Sequence, residues 1–357
     1  MEALLPLTLV WGTAIAVSLA VTGLVAAAGL GDAPGPRSSH TRLTPTAGGL
    51  GMVAALGAGA LLPDSAALVS PQIAPLLAIL FGVAMVGLID DAVGMRARVK
   101  FALLLLLAAA AVWVIGPVAA LPLGEGVLAL PAWAGAAGAV LWLFVITNAV
   151  NFMDGINGIM AGTVNAALLG FAGIAGAFGA TDALFIAALL SGGLLGLLPY
   201  NYRTRAHVFA GDTGALLAGF AFGLLPLLLE SEVASYSART PALLYIGPLL
   251  LLPFLADVFT TLIRRAREGK PLLSAHREHL YQYAARRIGH LPVASAYLAT
   301  TLPLTLLALW AIATGRQGSL VLLLALSALV GWGFYRGARK LERAEAVRAE
   351  TLRAETP

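Results

Sequence analysis

The chain contains no cysteine. That excludes a disulfide framework, a thiol nucleophile and any metal site built on thiolates. Charge is scarce as well: Asp, Glu, Lys and Arg make up 11% of the 357 residues, against about 25% in an ordinary soluble domain. A chain so poor in charge cannot clothe a water-facing surface. Apolar length stands in its place, with 59% hydrophobic residues and a mean hydropathy of +0.89. The apolar residues fall into eleven runs, near 4–28, 47–62, 73–89, 99–117, 131–149, 157–178, 183–199, 213–229, 241–263, 291–313 and 318–335. A bilayer-spanning helix takes about 20 such residues, so eleven use about 220 and leave only short loops. The composition predicts an all-α polytopic membrane protein with about eleven transmembrane helices and no sizeable soluble domain.

No repeat, low-complexity linker or internal boundary interrupts the runs. Residues 1–335 are expected to form one transmembrane catalytic domain, and 336–357 a charged, solvated helical tail. A secretory signal has a basic start and a shorter apolar core than the first run, which only Glu2 precedes. That run is expected to be retained as a helix.

Basic residues are almost absent from one side. If eleven spans alternate, the segments 29–46, 90–98, 150–156, 200–212, 264–290 and the tail share a side. That side, with Lys100, holds 20 of the 22 Lys and Arg, and the other holds only Arg239 and Arg316. Short basic loops stay in the cytoplasm. The expected topology has the N-terminus outside and the basic loops and C-terminus in the cytoplasm of a bacterial inner membrane.

Four polar clusters interrupt the apolar pattern, and all four fall on the basic side. The densest is Asn148–Gly158, with three Asn, one Asp and two Gly in eleven residues. Polar groups at a membrane boundary need water, partners or a ligand. Asn148, Asn151 and Asp154 recur every three residues and can line one side of a helix end. Gly155 and Gly158 permit a tight turn and close approach of a ligand. Helix capping accounts for one or two of these residues but not for all.

Asp90-Asp91 ends the third run. Adjacent helical residues point about 100° apart, so the two carboxylates need not share one job. One is expected in a site, as metal ligand, base or nucleophile, and the other to orient its neighbours. The plainer reading is a solvated helix end near Arg96, Arg98 and Lys100, against which stands the unfavourable dipole of a helix C-terminus for carboxylates. Phe209-Ala210-Gly211-Asp212-Thr213-Gly214 precedes the eighth run. Asp212 reads as that helix's N-cap. It reads equally as the holder of a divalent cation beside phosphate bound at the helix N-terminus. Mg²⁺, with Mn²⁺ as a substitute, suits carboxylates and phosphates without cysteine.

His276-Arg277-Glu278-His279 lies in the longest basic loop, with its two histidines on one helical face. Zinc would need a third ligand from His40 or a carboxylate. A grip on a phosphorylated substrate, or a loop against anionic lipid, are the other readings. Asp257 lies inside the ninth run, where an ionisable residue is a functional candidate by default. Pairing with an Asn or His of the site is the structural alternative. The first loop, Pro36-Arg37-Ser38-Ser39-His40-Thr41-Arg42-Leu43-Thr44-Pro45-Thr46-Ala47-Gly48-Gly49, is neither a Walker loop nor a dinucleotide fingerprint.

In their order and on their common face, these residues resemble the polyprenyl-phosphate N-acetylhexosamine-1-phosphate transferase family. The likeness runs from the Ser-Ser-His loop to His276-x-x-His279, most of the chain. It implies transfer of a sugar 1-phosphate from a UDP-N-acetylhexosamine to undecaprenyl phosphate, release of UMP, dependence on Mg²⁺ and no nucleic-acid partner. By matching position, Asp90 would deprotonate the lipid phosphate or act as nucleophile, with Asp91 beside it. Asn151 and Asp154 would belong to the catalytic and nucleotide pocket, with Asn148 and Asn157 as further substrate contacts. Asp212 would bind the metal. His276, Arg277 and His279 would contact the diphosphate, and Ser39 and His40 the donor. His-Arg-Glu-His and Arg-Ser-Ser-His resemble the branch that initiates O-antigen synthesis, whereas the muramoyl-pentapeptide branch carries three consecutive histidines. Asn157 stands where the family often has Asp, and Ala215 where Ser is common. Membrane lipids are expected neighbours, and a homodimer is one expected assembly. A transporter would instead place ionisable groups near the bilayer midplane. Here the acids sit at helix ends on one face, and no matching cluster is expected on the other side. A non-catalytic lipid-binding scaffold would need basic patches but no ordered Asp and Asn.

Overall fold

A computed structural model describes residues 4–29, 31–32, 44–63, 68–123, 126–234, 241–271, 276–316 and 319–354. Its helices are α1 (Leu4–Ala28), α2 (Gly49–Ala60), α3 (Ile73–Val93), α4 (Ala97–Ile115), α5 (Ala132–Met153), α6 (Ile159–Phe178), α7 (Thr181–Asn201) and α8 (Gly211–Ala234). A 3₁₀ turn (Pro241–Tyr245) leads into α9 (Ile246–Leu250) and α10 (Leu252–Arg267). The chain then forms α11 (Leu280–Ile288), α12 (His290–Ala313) and α13 (Ser319–Ala354). The protein is an all-α polytopic membrane protein.

Every apolar run coincides with helix, but not every helix has bilayer length. Eight are long and apolar enough to cross, among the described residues. A ninth candidate is bent by 74° between the segment ending at Leu250 and α10, where the sequence reads as one straight run. Pro253 at the start of α10 fits there because a helix's first turn has no use for its missing N–H. The run at 47–62 forms a helix of only 12 residues. The run at 318–335 is the first half of a 36-residue helix that continues through the tail. Two antiparallel ribbons were not expected, Gly31–Asp32 with Thr44–Pro45 and Ala120–Leu123 with Gly126–Ala129. Both lie between helices, where a backbone pair satisfies polar groups that a loop would leave open.

Helix α8 is the axis of the bundle, almost wholly enclosed, and it packs against α3, α5 and α7. Small residues let the backbones approach. A Cβ on Gly87 would stand 2.5 Å from the Thr213 Cα, and one on Gly49 would press on the backbone of Gly214. The first turn of α8 is thus wedged between α2 and α3. Hydrogen bonds join the ends of α3, α5 and α7 and the starts of α4, α6 and α8 at one end of the molecule.

The opposite end carries a polar cluster that the sequence reading did not expect. The Asp182 carboxylate accepts hydrogen bonds from the Ser70 N–H (2.8 Å), the Ser70 hydroxyl and Gln72 Nε2 (2.9 Å). Glu232 accepts from the backbone N–H groups of Asp182 and Ala183 at 3.1 and 2.8 Å. Both acids tie off helix ends: Glu232 caps α7, and Asp182 anchors the segment before α3.

Candidate active site

Lys100 is the centre of the polar end. Asp90 sits in the last turn of α3, which stops at Gly94 with φ +69, a left-handed conformation that glycine adopts without strain. The chain reverses there, Met95 N–H donates to Asp90 Oδ1 (2.6 Å), and α4 starts at Ala97. Lys100, in the first turn of α4, donates to Asp90 Oδ2 at 2.6 Å and to Asp212 Oδ2 at 2.8 Å. Asn151 Nδ2 donates to the other Asp212 oxygen at 2.9 Å. Four helices, α3, α4, α5 and α8, are thereby cross-linked by one ammonium and one amide. These ion pairs are only partly buried, so removing one partner leaves the other charge in reach of water but without its counter-charge.

Asp91 does a different job. Its Oδ1 accepts from the Asp212 N–H (2.8 Å), and its Oδ2 accepts from the Thr213 N–H (2.9 Å) and hydroxyl (2.7 Å). Free N–H groups and the positive end of the dipole make a helix start a seat for a carboxylate. The cap of α8 is therefore Asp91 from α3. Asp212, expected as a cap or as a metal ligand, lies within the first turn with its carboxylate aimed at Lys100 and Asn151.

Asp154 follows α5 directly and takes no hydrogen bond from another described side chain. Burial, together with the negative charges of Asp212 and Asp91, pushes its carboxyl up to about 7. Asn148 is buried and donates to the Phe144 carbonyl of its own helix (2.7 Å). Asn157 donates to the carbonyls of Arg203 (2.8 Å) and Thr204 (3.3 Å). Asn201, which the sequence reading passed over, accepts from Gly158 N–H (2.9 Å) and donates to Val208 O (3.0 Å). These two asparagines brace the segment that leads into Asp212.

The histidine loop reaches the same place through Phe152 and Tyr281. Tyr281 donates to the Phe152 carbonyl (2.9 Å), and its hydroxyl lies where a side chain on residue 155 would begin, so that position takes glycine. The His279 ring stacks on Tyr281 with centroids 5.7 Å apart, and lies 6.3 Å from Phe152 and 5.0 Å from His276. His276 Nδ1 is buried without a hydrogen-bond partner. Burial first, then the charges of His279 and Arg265, push that imidazole down to about 4, so it is neutral at physiological pH. Asp257 stands behind His279, not in the polar cluster. It accepts from the N–H groups of Leu280 (2.8 Å) and Tyr281 (3.0 Å) and from the Tyr297 hydroxyl (2.7 Å), and His279 Nδ1 is 3.4 Å away. It thus caps α11, the short helix that carries Tyr281. Arg277 is exposed at the loop surface, while Glu278 binds Arg265 (2.9 Å) and Lys270 (3.2 Å).

Asp90, Asp91, Asn151, Asp154 and Asp212 are thus one cluster with Lys100, and His276 and His279 border it. Asn148 and Asn157 bond to the protein's own backbone. Ser39 and His40 lie outside the described residues. Lys100 was the missed member: it counted only as a loop charge, though a lysine followed by fifteen almost wholly apolar residues is a signal in itself. Among the described residues no three His, Asp or Glu side chains converge as a ready cage for a metal. The donor set still suits Mg²⁺, which takes one or two carboxylates and fills its sphere with water and substrate phosphate. Four aspartates around one lysine leave an excess of negative charge, and Asp212 and Asp91 add to the burial that raises the Asp154 carboxyl. Asp154 and Asp212 are the residues that could hold such an ion.

Residues 73–230 match the profile of glycosyl transferase family 4. The chain is 31% identical to decaprenyl-phosphate N-acetylglucosaminephosphotransferase of Mycolicibacterium smegmatis over 282 residues, covering 72% of this chain and 68% of that protein. The chain belongs to the polyprenyl-phosphate N-acetylhexosamine-1-phosphate transferases of glycosyl transferase family 4. This family 4 member is also 35% identical to phospho-N-acetylmuramoyl-pentapeptide-transferase of Moorella thermoacetica over 199 residues, 51% of this chain and 60% of that protein. A Bacillus subtilis protein named probable undecaprenyl-phosphate N-acetylglucosaminyl 1-phosphate transferase is 28% identical over 192 residues, about half of each chain. The family 4 chain thus spans about 60% of the length of the muramoyl-pentapeptide transferase it matches. The cluster around Lys100 lies within the matched segment, and the histidine loop lies beyond it.

Proposed function

We propose that this chain transfers a sugar 1-phosphate from a UDP-N-acetylhexosamine, of the N-acetylglucosamine or 6-deoxy type, to undecaprenyl phosphate. An oxygen of the lipid phosphate attacks the phosphorus that bears the sugar. The bond from that phosphorus to the UMP oxygen breaks, UMP leaves, and a lipid-linked sugar diphosphate remains. The observation that carries this reading is the Lys100 bridge between Asp90 and Asp212, flanked by Asn151 and Asp154 at one end of a transmembrane bundle. A lipid phosphate lies at headgroup depth, where such helix ends lie.

Phosphoryl transfer asks for positioning and for neutralisation of charge. Asp90 faces the incoming lipid phosphate as base or nucleophile, and Lys100 neutralises charge between Asp90 and Asp212. Asp91 fixes the first turn of α8 so that Asp212 stays in register. Asp212 and Asp154 would hold Mg²⁺, which would supply positive charge against the donor phosphates. Neutral His276, with its unpaired Nδ1, His279 and Arg277 contact the diphosphate, and Ser39 and His40 contact the donor. The basic loops support a cytoplasmic position for this end, where UDP-sugars are made, in a bacterial inner membrane.

The likeness to the mycobacterial N-acetylglucosamine phosphotransferase covers more of the chain than the likeness to the muramoyl-pentapeptide transferases, which supports the hexosamine donor. The latter, at higher identity over a shorter stretch, keeps the pentapeptide donor as a second reading. The test is UMP release by purified protein with undecaprenyl phosphate, Mg²⁺ and a panel of UDP-sugars. Release with N-acetylglucosamine or a 6-deoxy relative, abolished by chelator, is the expected result. Release only with UDP-N-acetylmuramoyl-pentapeptide would overturn the donor, and silence across the panel would overturn the reaction.

A further inference from the structure

The last helix separates its charges by sign. Helix α13 has 36 residues and is about 54 Å long, while the apolar core of a bilayer is about 30 Å thick. Its first half exposes Leu329 and Val330, then Trp332, whose ring lies 5.1 Å from the Arg336 guanidinium. Exposed tryptophan is characteristic of the boundary between acyl chains and headgroups. Beyond it the helix has two unlike faces. The inward face is tied to the protein: Glu342 to Arg264 (3.5 Å), Glu345 to Arg286 (2.9 Å) and Arg339 to Glu268 (2.7 Å). The outward face carries Arg336, Lys340 and Arg343, spaced i, i+4, i+7 and exposed. None of the three has an acidic partner among the described residues. Both acids whose side chains are described on this stretch, Glu342 and Glu345, turn inward. A helix selected merely for solubility would mix signs on its free face.

We propose that the outward face of α13 binds the anionic headgroups of the surrounding bilayer. Arg336, Lys340 and Arg343 lie one to three turns past Trp332, about 6–17 Å along the axis, which spans headgroup depth and the first water layer. The partner is a phospholipid of net negative charge, recognised through its phosphate by cations held on a rigid helix. The inward ion pairs prevent the helix from rotating this face away. Because they run through Arg264 and Arg286, the lipid-binding face stands at the same end of the molecule as the histidine loop.

The test is native mass spectrometry of the full-length protein in detergent, titrated with phosphatidylglycerol or with phosphatidylcholine of the same acyl chains. The wild-type protein is expected to prefer phosphatidylglycerol. Each basic residue near an anionic surface accounts for about fivefold in affinity, so Arg336→Gln/Lys340→Gln/Arg343→Gln is expected to lose most of the preference. The charge-matched Arg96→Gln/Arg98→Gln/Arg205→Gln variant is expected to keep most of it. Lys340→Gln alone, expected to lose about fivefold, serves if the triple variant does not fold. Equal loss in the two triple variants, or an undiminished preference in the α13 triple, would overturn the proposal.

Discussion

Lys100 and Asp154 are the two side chains on which the charge balance of the site turns. Lys100 is the only cation that touches Asp90 and Asp212 among the described residues. Lys100→Gln is therefore expected to lower kcat for UMP release about 10²–10³-fold, as when one charge-stabilising donor is removed from an active site, with the protein still eluting as a single species. Asp154 makes the second prediction, through pH. Its carboxyl is held at about 7 against an ordinary 3.8, so between those values the folded chain binds a proton that the unfolded chain has lost. The stability this gives is whole below about pH 4 and is lost as pH rises towards 7. The melting temperature is expected to fall over that window, and Asp154→Asn is expected to flatten the fall. Mg²⁺ is expected to raise the melting temperature more at pH 8 than at pH 5, and to do neither in the Asn variant. The presence of these aspartates at a site could be read from the sequence, because ionisable residues at the ends of apolar runs are costly without a purpose. Which of Asp90 and Asp91 faces Lys100 could not, since that depends on the rotation of α3 against α8.

At the scale of elements, the site is assembled by helix ends that borrow caps from elsewhere. Asp91 on α3 caps α8, and Asp257 on α10 caps α11. Such caps leave no local trace: the sequence places Asp212 where an N-cap would stand, yet the carboxylate that fills the role lies 121 positions earlier. Helix α11 was likewise hidden, since His279 begins it only with Asp257 behind it. Asp257→Ala removes the acceptor for two backbone N–H groups and one tyrosine hydroxyl, and is expected to cost about 3 kcal/mol, the scale of breaking a buried polar pair. Tyr297→Phe removes one hydrogen bond and is expected to cost about 1 kcal/mol. Thermal unfolding in detergent, read by tryptophan fluorescence, orders the two; equal losses would mean that the cap is not what Asp257 supplies.

At the scale of the whole molecule, apolar run length found the helices and the charge count found the end at which they converge. The break before α10 was not legible, because Leu249 to Leu252 is uniformly apolar and proline stands on both sides of it, at Pro248 and Pro253, without marking where the bend falls. The cluster of Asp182 and Glu232 at the opposite end shows that acids outside the site also serve as helix anchors, which weakens a rule based on acids alone. Sidedness can be measured directly because the chain has no cysteine of its own. With a membrane-impermeant maleimide on intact cells, Arg316→Cys is expected to be labelled, and Val347→Cys only after permeabilisation. The reverse pattern would place the site outside and remove it from cytoplasmic donors. The most direct test of the whole reading is UMP release by purified Asp212→Asn protein beside the wild type, with undecaprenyl phosphate, Mg²⁺ and the best UDP-sugar. The variant is expected to fold properly and to lose at least a hundredfold in rate, about the cost of one transition-state charge contact. Turnover at the wild-type rate would contradict the reading.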